Sequence, residues 1–235
     1  MVLPAKIFEI NEVINFGLMT QKLKDFREEE NYEKNNEKNI TLVTEILDLK
    51  LKENLISGIF SVDFMQKHYY RRELVENPIT EEALFWLTKF ENRAFLIVAA
   101  PSVARGVKKL LSNHVANKLS KILFITPRLI VETKIPHVTL RRLHELNPHA
   151  TRLIWFDNVD IPGVEKLCLA GSAIADTQLY QDYLLHGQIW YVVFAVQKRG
   201  IMVGLTRNSV VTLFSKSTRD DFITYIREDL LKLIE

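Results

Sequence analysis

GQIWYVVFAVQKRGIMVGLTRNSVVTLFS, Gly187–Ser215, is the stretch that decides the architectural class. Three runs rich in β-branched and aromatic residues are separated by two short polar turns, QKRG (Gln197–Gly200) and TRNS (Thr206–Ser209), the pattern of consecutive antiparallel strands. Gly200 and Asn208 suit the left-handed backbone that tight hairpin turns demand. Lys198, Arg199 and Arg207 sit at these turns, where strands commonly place charge for solvation. Because residues 157–235 carry a net charge of −2, the ribbon reads as scaffold rather than as a phosphate-binding surface.

Working outward, STRDDFITYIREDLLKLIE closes the sequence as a helix with a stripe of Phe222, Ile223, Ile226, Leu230, Leu231 and Ile234. Upstream, DTQLYQDYLLHG reads as a helix beginning at Asp176 and stopped by Gly187. RLIWFD and VEKLCLA read as strands around the turn NVDIPG, and VTLRRLHELNP as a short helix ended by Pro148. In the middle third, RAFLIVAA is apolar at nearly every position, as a strand covered on both faces would be. PSVARGVKKLLSNHVANKL predicts a helix capped by Ser102, with Val103, Val107, Leu110, Leu111, His114, Val115 and Leu119 on one face. KILFIT and RLIVET read as strands on either side of Pro127. In the first third, GIFSVDF is a strand with HYYRREL as its antiparallel partner. TEEALFWLTKF has a Thr80 cap and acids in its first turn, a helix start. ITLVTEILDLKLKENLI fits a helical face or a strand equally. LMTQKLKDF begins a short helix, and Glu28–Asn39 reads as an exposed loop with no apolar face to dock.

The fold expected is α+β, a mostly antiparallel sheet backed by amphipathic helices. A long amphipathic helix closes a strand set in both Phe95–Leu119 and Val210–Ile234, which allows two pseudo-repeated halves. These are residues 1–135, with the acidic loop and a basic central region, and residues 136–235, with the three-stranded ribbon and the closing helix; one domain holding both is the alternative. No residue motif ties the sequence to a known family.

Composition narrows the function classes. Of 235 residues, 47% are hydrophobic and 26% charged, enough for a core of ordinary size. The longest apolar runs, Ile189–Val196 and Phe95–Ala100, fall far short of the roughly 20 residues of a spanning helix, so no membrane role is expected. Glu9 and Glu12 interrupt the stretch where a secretory signal would be apolar. The single cysteine, Cys168, permits no intrachain disulfide and no Cys-His zinc set. It reads as a buried strand residue in a reducing, cytoplasmic protein.

Charge is unevenly distributed: residues 1–66 carry −4 and residues 67–156 carry +8, and the latter hold five of the six histidines. That asymmetry points to an anionic partner. Two segments concentrate it. In QKHYYRREL, Lys67, Arg71 and Arg72 flank Tyr69 and Tyr70, the mixture that stacks on bases while neutralising phosphates. In ARGVKK, Arg105, Lys108 and Lys109 fall at i, i+3 and i+4, one helical face opposite the apolar stripe, near the free amides of a helix start. Arg141 and Arg142 add charge beside His144 and His149, but Glu145 points away from His144 and no metal set forms.

No phosphate loop, dinucleotide fingerprint, nucleophile elbow or HExxH is present, and no cofactor is expected. The acidic-x-Lys tripeptides Glu132/Lys134 and Asp48/Lys50 resemble strand-end nuclease sites, but no aspartate lies between Asp63 and Asp157 to supply a second metal-binding acid upstream of Glu132. FDNVD (Asp157, Asp160) reads as a turn. The expectation is a non-catalytic nucleic-acid-binding or nucleoprotein-associated module. The alternatives are a Mg²⁺-dependent nuclease-like enzyme and a protein-interaction subunit, with a protein partner or a homodimer.

Overall fold

Strand β1 (Leu3–Ile10) opens the chain. The computed structural model describes residues 3–33, 40–99, 112–126, 128–146, 148–214 and 218–234. Two compact units divide the chain, one of Phe8–Val131 and one of Met1–Ile7 with Glu132–Glu235. The architecture is α+β in the broad sense, and it is dominated by antiparallel sheet rather than built as a sheet backed by helices.

In the unit of Phe8–Val131, helix α1 (Phe16–Leu23) is capped by the Asn15 side chain, which accepts the Leu18 N–H. There follow β2 (Arg27–Tyr32), β3 (Ile40–Lys52), β4 (Leu55–Tyr70), β5 (Glu73–Phe90) and β6 (Arg93–Ala99), hydrogen-bonded in that order. Helix α2 (Ser112–Leu123) and short strand β7 (Ile130–Glu132) complete this part of the chain. The core lies where the central strands meet the two helices. Ile56, Phe60 and Val62 of β4, Ala83, Phe85 and Leu87 of β5, Met19 and Leu23 of α1, and Val115 and Leu119 of α2 are all buried in it.

Several expectations fail here. Thr80–Phe90 is not a helix. It is the second half of β5, where Ala83, Phe85 and Leu87 lie opposite Phe60, Gly58 and Ile56 and bury one apolar column. Pairing with β4 along Thr80–Thr88 and with β6 from Leu84 on satisfies the backbone N–H and C=O groups of this segment, and this outweighs a good helix cap. His68–Leu74 is not the partner of β4; β4 runs on through Tyr70, and β5 is its partner. KILFIT is not a strand either. Lys121–Leu123 finishes α2, because Leu123 continues the buried face of Val115, Ala116 and Leu119. Glu28–Tyr32, read as loop, is an edge strand paired with Thr44–Ile40, while residues 34–39 of that expected loop lie outside the described residues. The ambiguous Ile40–Lys52 is β3, with a bulge where Asp48 takes a left-handed φ of 50°.

In the other unit, helix α3 (His137–Leu146), strands β8 (Thr151–Asp157) and β9 (Leu167–Ala170), helix α4 (Gln178–His186), strands β10 (Gln188–Val196), β11 (Ile201–Thr206) and β12 (Val210–Leu213) and helix α5 (Arg219–Tyr225) follow in sequence. Leu3–Lys6 of β1 pairs with Leu213–Val210, giving the order β1-β12-β11-β10-β8-β9. Residues 188–213 thus form three consecutive antiparallel strands. Gly200 is left-handed at φ 63° as expected, but in the second turn Ser209 takes that role at φ 53°, not Asn208. Helix α5 begins with a capping box between Thr218 and Asp221 and passes into a wider turn over Ile226–Leu230. Cys168 is exposed rather than buried, because β9 is an edge strand on which it alternates outward. Among the described residues no helix is long and apolar enough to cross a membrane.

Candidate nucleic-acid interface

The β4–β5 pairing is unbroken from Leu55 opposite Thr88 to Tyr70 opposite Glu73, yet its neighbours do not follow it to the end. β3 accompanies β4 only as far as Thr44 opposite Val62. At the next residue a side chain replaces the ladder. Asp63 Oδ2 accepts the Val43 N–H at 2.9 Å, and Asp63 Oδ1 accepts the Thr80 hydroxyl at 2.7 Å. On the other side, β6 accompanies β5 only as far as Leu84 opposite Ala99. Among the described residues, Phe64–Ile79 is therefore a two-stranded arm, about 23 Å long at roughly 3.3 Å per residue. Burial along β4 fades accordingly, from Phe60 and Val62 in the core to a fully exposed run over Lys67–Tyr70.

Successive side chains on a strand point to opposite faces, so the register assigns the arm's residues to sides. Lys67 and Tyr69 share one face with their partners Glu76 and Leu74, and His68 and Tyr70 share the other with Val75 and Glu73. Tyr69 is 78% exposed, Tyr70 59% and Leu74 54%. Large apolar groups this accessible are unusual at the end of a projecting ribbon, where no core is at hand to cover them.

The turn is Arg71–Arg72, with φ of 47° and 72°. Two successive left-handed residues make the turn type that matches strand twist, and Asn-Gly is the pair that adopts it readily. Arginine there stores strain of about 1–2 kcal/mol per residue, and it puts both guanidinium groups at the outermost point of the arm. The Arg71 guanidinium stands 5.5 Å from the centroid of the Tyr70 ring, a cation–π contact. Among the described residues neither arginine has an acidic partner.

Lys67 behaves differently from the other expected contacts. Its ammonium is 2.5 Å from Glu76 Oε1, and that hydrogen bond, followed by the attraction of the Glu76 charge, raises its pKa. The Tyr32 hydroxyl donates to Glu76 Oε2 at 3.0 Å. Lys67 is thus part of a brace holding the arm to β2. Leu74 is the residue at this site that sequence reasoning missed; nothing marks it until the register sets it opposite Tyr69. Arg105, Lys108, Lys109 and Ser102 lie outside the described residues.

Several of the remaining candidates are engaged elsewhere. Arg199 reaches Glu228 and Asp229 at 2.6 Å each, and Arg207 reaches Asp157 at 2.5 Å, so these turn cations hold scaffold together. Arg141 pairs with Glu145 at 2.7 Å. His144 is wholly buried, with neither ring nitrogen hydrogen-bonded, and it packs edge-on against Tyr180 at 4.8 Å. Burial lowers its pKa against the opposing pull of Glu145 and Asp176, and the ring is neutral. Glu132 is paired with Lys6 at 2.8 Å, and Asp48 sits in the β3 bulge. Among the described residues no three histidine, cysteine or acidic side chains converge on a point where a metal ion would sit. Compared with known protein families and with curated proteins, the chain has no match.

Proposed function

We infer that the protein is a non-catalytic nucleic-acid-binding module, or a nucleoprotein-associated one, and that the β4–β5 arm is its reader. One observation carries this reading: among the described residues, a two-stranded ribbon extends past its neighbouring strands and ends in two exposed tyrosines followed by two arginines without acidic partners. Cations beside aromatic rings supply both phosphate neutralisation and base stacking. In this reading Tyr69, Tyr70, Arg71 and Arg72 make the contacts, Lys67 fixes the arm, and Arg105, Lys108 and Lys109, outside the described residues, are further candidates for phosphate contact. A cytoplasmic setting belongs to the same proposal. So do the two pseudo-repeated halves, supported by one feature of each: a strand set closed by an amphipathic helix, α2 after β6 and α5 after β12.

The test is fluorescence anisotropy with mixed-sequence single- and double-stranded oligonucleotides, comparing the parent with a variant altered at Tyr69, Tyr70, Arg71 and Arg72 together. Salt-sensitive binding that the variant loses is the expected result. Incubating the same oligonucleotides in Mg²⁺ separates the nuclease alternative, since cutting that disappears in Glu132→Ala or Lys134→Ala would replace this reading by an enzymatic one. A second reading, a protein-interaction subunit, is favoured by a cleft of about 350 Å³ in the Phe8–Val131 unit. It is rimmed by Val13 and Ile125, which are 90% and 100% exposed. Absence of any nucleic-acid binding would put that reading first.

A further inference from the structure

We propose that the arm takes single-stranded nucleic acid laid across its end. One base stacks on Tyr69 on one face, a second on Tyr70 on the other, and the phosphates between them pass over Arg71 and Arg72. This rests on the nucleic-acid reading above and specifies its ligand.

Charge disfavours a duplex as the arm's ligand. Over Phe64–Ile79 there are three cations, Lys67, Arg71 and Arg72, and two carboxylates, Glu73 and Glu76. Lys67 is spent on Glu76. Two arginines remain, whereas proteins that hold duplex DNA mainly through its backbone make on the order of 6–10 phosphate contacts.

The aromatic groups point to unstacked bases. In a duplex the base faces are covered by their neighbours, so an exposed tyrosine ring finds nothing to stack on without paying to open a step. In a single strand every base offers a free face, and each stacked ring contributes a factor of about 5–150 in affinity. Two such rings outweigh two exposed phosphate contacts.

The register fixes the path. Tyr69 and Tyr70 are consecutive, hence on opposite faces, so no straight run of bases meets both rings; a strand meets both only by crossing the ribbon's end, where Arg71 and Arg72 lie. Leu74, opposite Tyr69 and 54% exposed, widens the platform on that face. Pro78, opposite Met65, removes a backbone donor from the arm's margin, which favours recognition by side chains over addition of a further strand. DNA and RNA share the chemistry used here, a flexible phosphodiester strand with free base faces.

The experiment is anisotropy with the full chain and end-labelled dT20, rU20 and a mixed-sequence 20-base-pair duplex, each titrated at several salt concentrations. Both single strands are expected to bind at least about tenfold more tightly than the duplex, and their ratio reports any preference for the 2′-hydroxyl. Tyr69→Ala and Tyr70→Ala should each weaken dT20 binding by about 5- to 150-fold, while the Phe variants, which keep the ring, stay within about threefold of the parent. Replacing Arg71–Arg72 by Asn-Gly should flatten the slope of log K against log salt by about 1.4, at about 0.7 per phosphate contact with a single strand. Circular dichroism and tryptophan fluorescence certify that each variant is folded. Duplex bound as tightly as dT20, or Ala variants that bind like the parent, would overturn the proposal while leaving a nucleic-acid role intact. No binding of any of the three oligonucleotides at low salt would remove both.

Discussion

Asp63 is the residue that ends the β3–β4 ladder and so frees the arm, and its replacement by alanine is the most direct perturbation of that geometry. The change leaves the Val43 N–H and the Thr80 hydroxyl without their acceptor. A hydrogen bond to an ionised group contributes about 1.5–3 kcal/mol net. Asp63 is only half-buried, so water recovers part of each bond, and the pair together should be worth about 2–3 kcal/mol. Asp63→Asn keeps one carbonyl oxygen for Val43 and offers an amide that the Thr80 hydroxyl can accept from, so its cost should be about 1 kcal/mol or less. Urea denaturation reads the difference through Trp86, the one tryptophan between residues 8 and 131, in a parent whose Trp155 and Trp190 are replaced by Phe. With a slope of about 2 kcal/mol per molar urea, the alanine variant should unfold about 1 M earlier. A midpoint within about 0.2 M of the parent, or an asparagine variant as damaged as the alanine one, would show that these hydrogen bonds do not hold the arm's base.

Gly58 lies beneath the fully buried ring of Phe85, and a Cβ there would meet that ring at 2.8 Å; Gly58→Ala should cost about 1–2 kcal/mol net of its smaller backbone entropy loss, and Phe85→Leu in the same chain should recover part of it in the same urea assay. His144 is neutral when folded and titrates at about 6.5 when unfolded, so stability is complete above that pH and falls as pH drops from about 6.5 toward the depressed folded value. His144→Phe preserves the edge-on contact with Tyr180 and should flatten that part of the stability–pH curve; an unchanged curve would assign the acid sensitivity to another group. Replacing Arg105, Lys108 and Lys109 together by Gln should reduce the salt slope for dT20 by about 2, at about 0.7 per phosphate contact with a single strand, and an unchanged slope assigns them to solvated surface.

The strands between Gly187 and Leu213 were readable because each is short, β-branched and bounded by turn residues, so local preference and tertiary pairing agree. Thr80–Phe90 misleads for the opposite reason. Thr80, Glu81 and Glu82 are what a helix start prefers, and the apolar run that follows fits either period. What selects the strand is the β4 register, which sets Ala83, Phe85 and Leu87 against Phe60, Gly58 and Ile56, information held 23–31 residues away in the sequence. Lys121–Thr126 fails more locally: the apolar spacing that defines the α2 face runs on through Leu123, so the segment belongs to the end of a helix and not to a strand. Cys168 was misplaced because its neighbours are apolar, and hydrophobicity does not say whether a strand lies at the edge of a sheet.

Charge counted along the sequence proved a poor guide to charge in space. The excess of +8 over residues 67–156 includes Lys67, Arg93, Lys118 and Arg141, each of which meets a carboxylate: Glu76, Glu9, Glu28 and Glu145. Two of those acids, Glu9 and Glu28, come from the first third, whose −4 had been counted separately. Among the described residues Arg71 and Arg72 escape such pairing because of where the ladders end, which no composition reveals.

Those two arginines also break a local rule, and the breach separates folding from function. A turn with two left-handed residues is best made by Asn-Gly, so a sequence shaped by stability alone would not place Arg-Arg there. Strained backbone persists chiefly where side-chain identity serves another purpose. Substituting Asn-Gly should relieve about 1–2 kcal/mol per residue. The arm opens locally rather than with the whole unit, since Phe64–Ile79 has few buried groups to tie it down. The relief should therefore appear as slower hydrogen exchange at amides of Gln66–Tyr70 and Glu73–Asn77, with the global urea midpoint almost unchanged. A more protected arm that binds single strands less well is the outcome that a functional Arg71–Arg72 turn requires. Unaltered exchange would mean that the left-handed turn carries no strain to release, and unaltered binding would reduce both arginines to a means of reversing the chain.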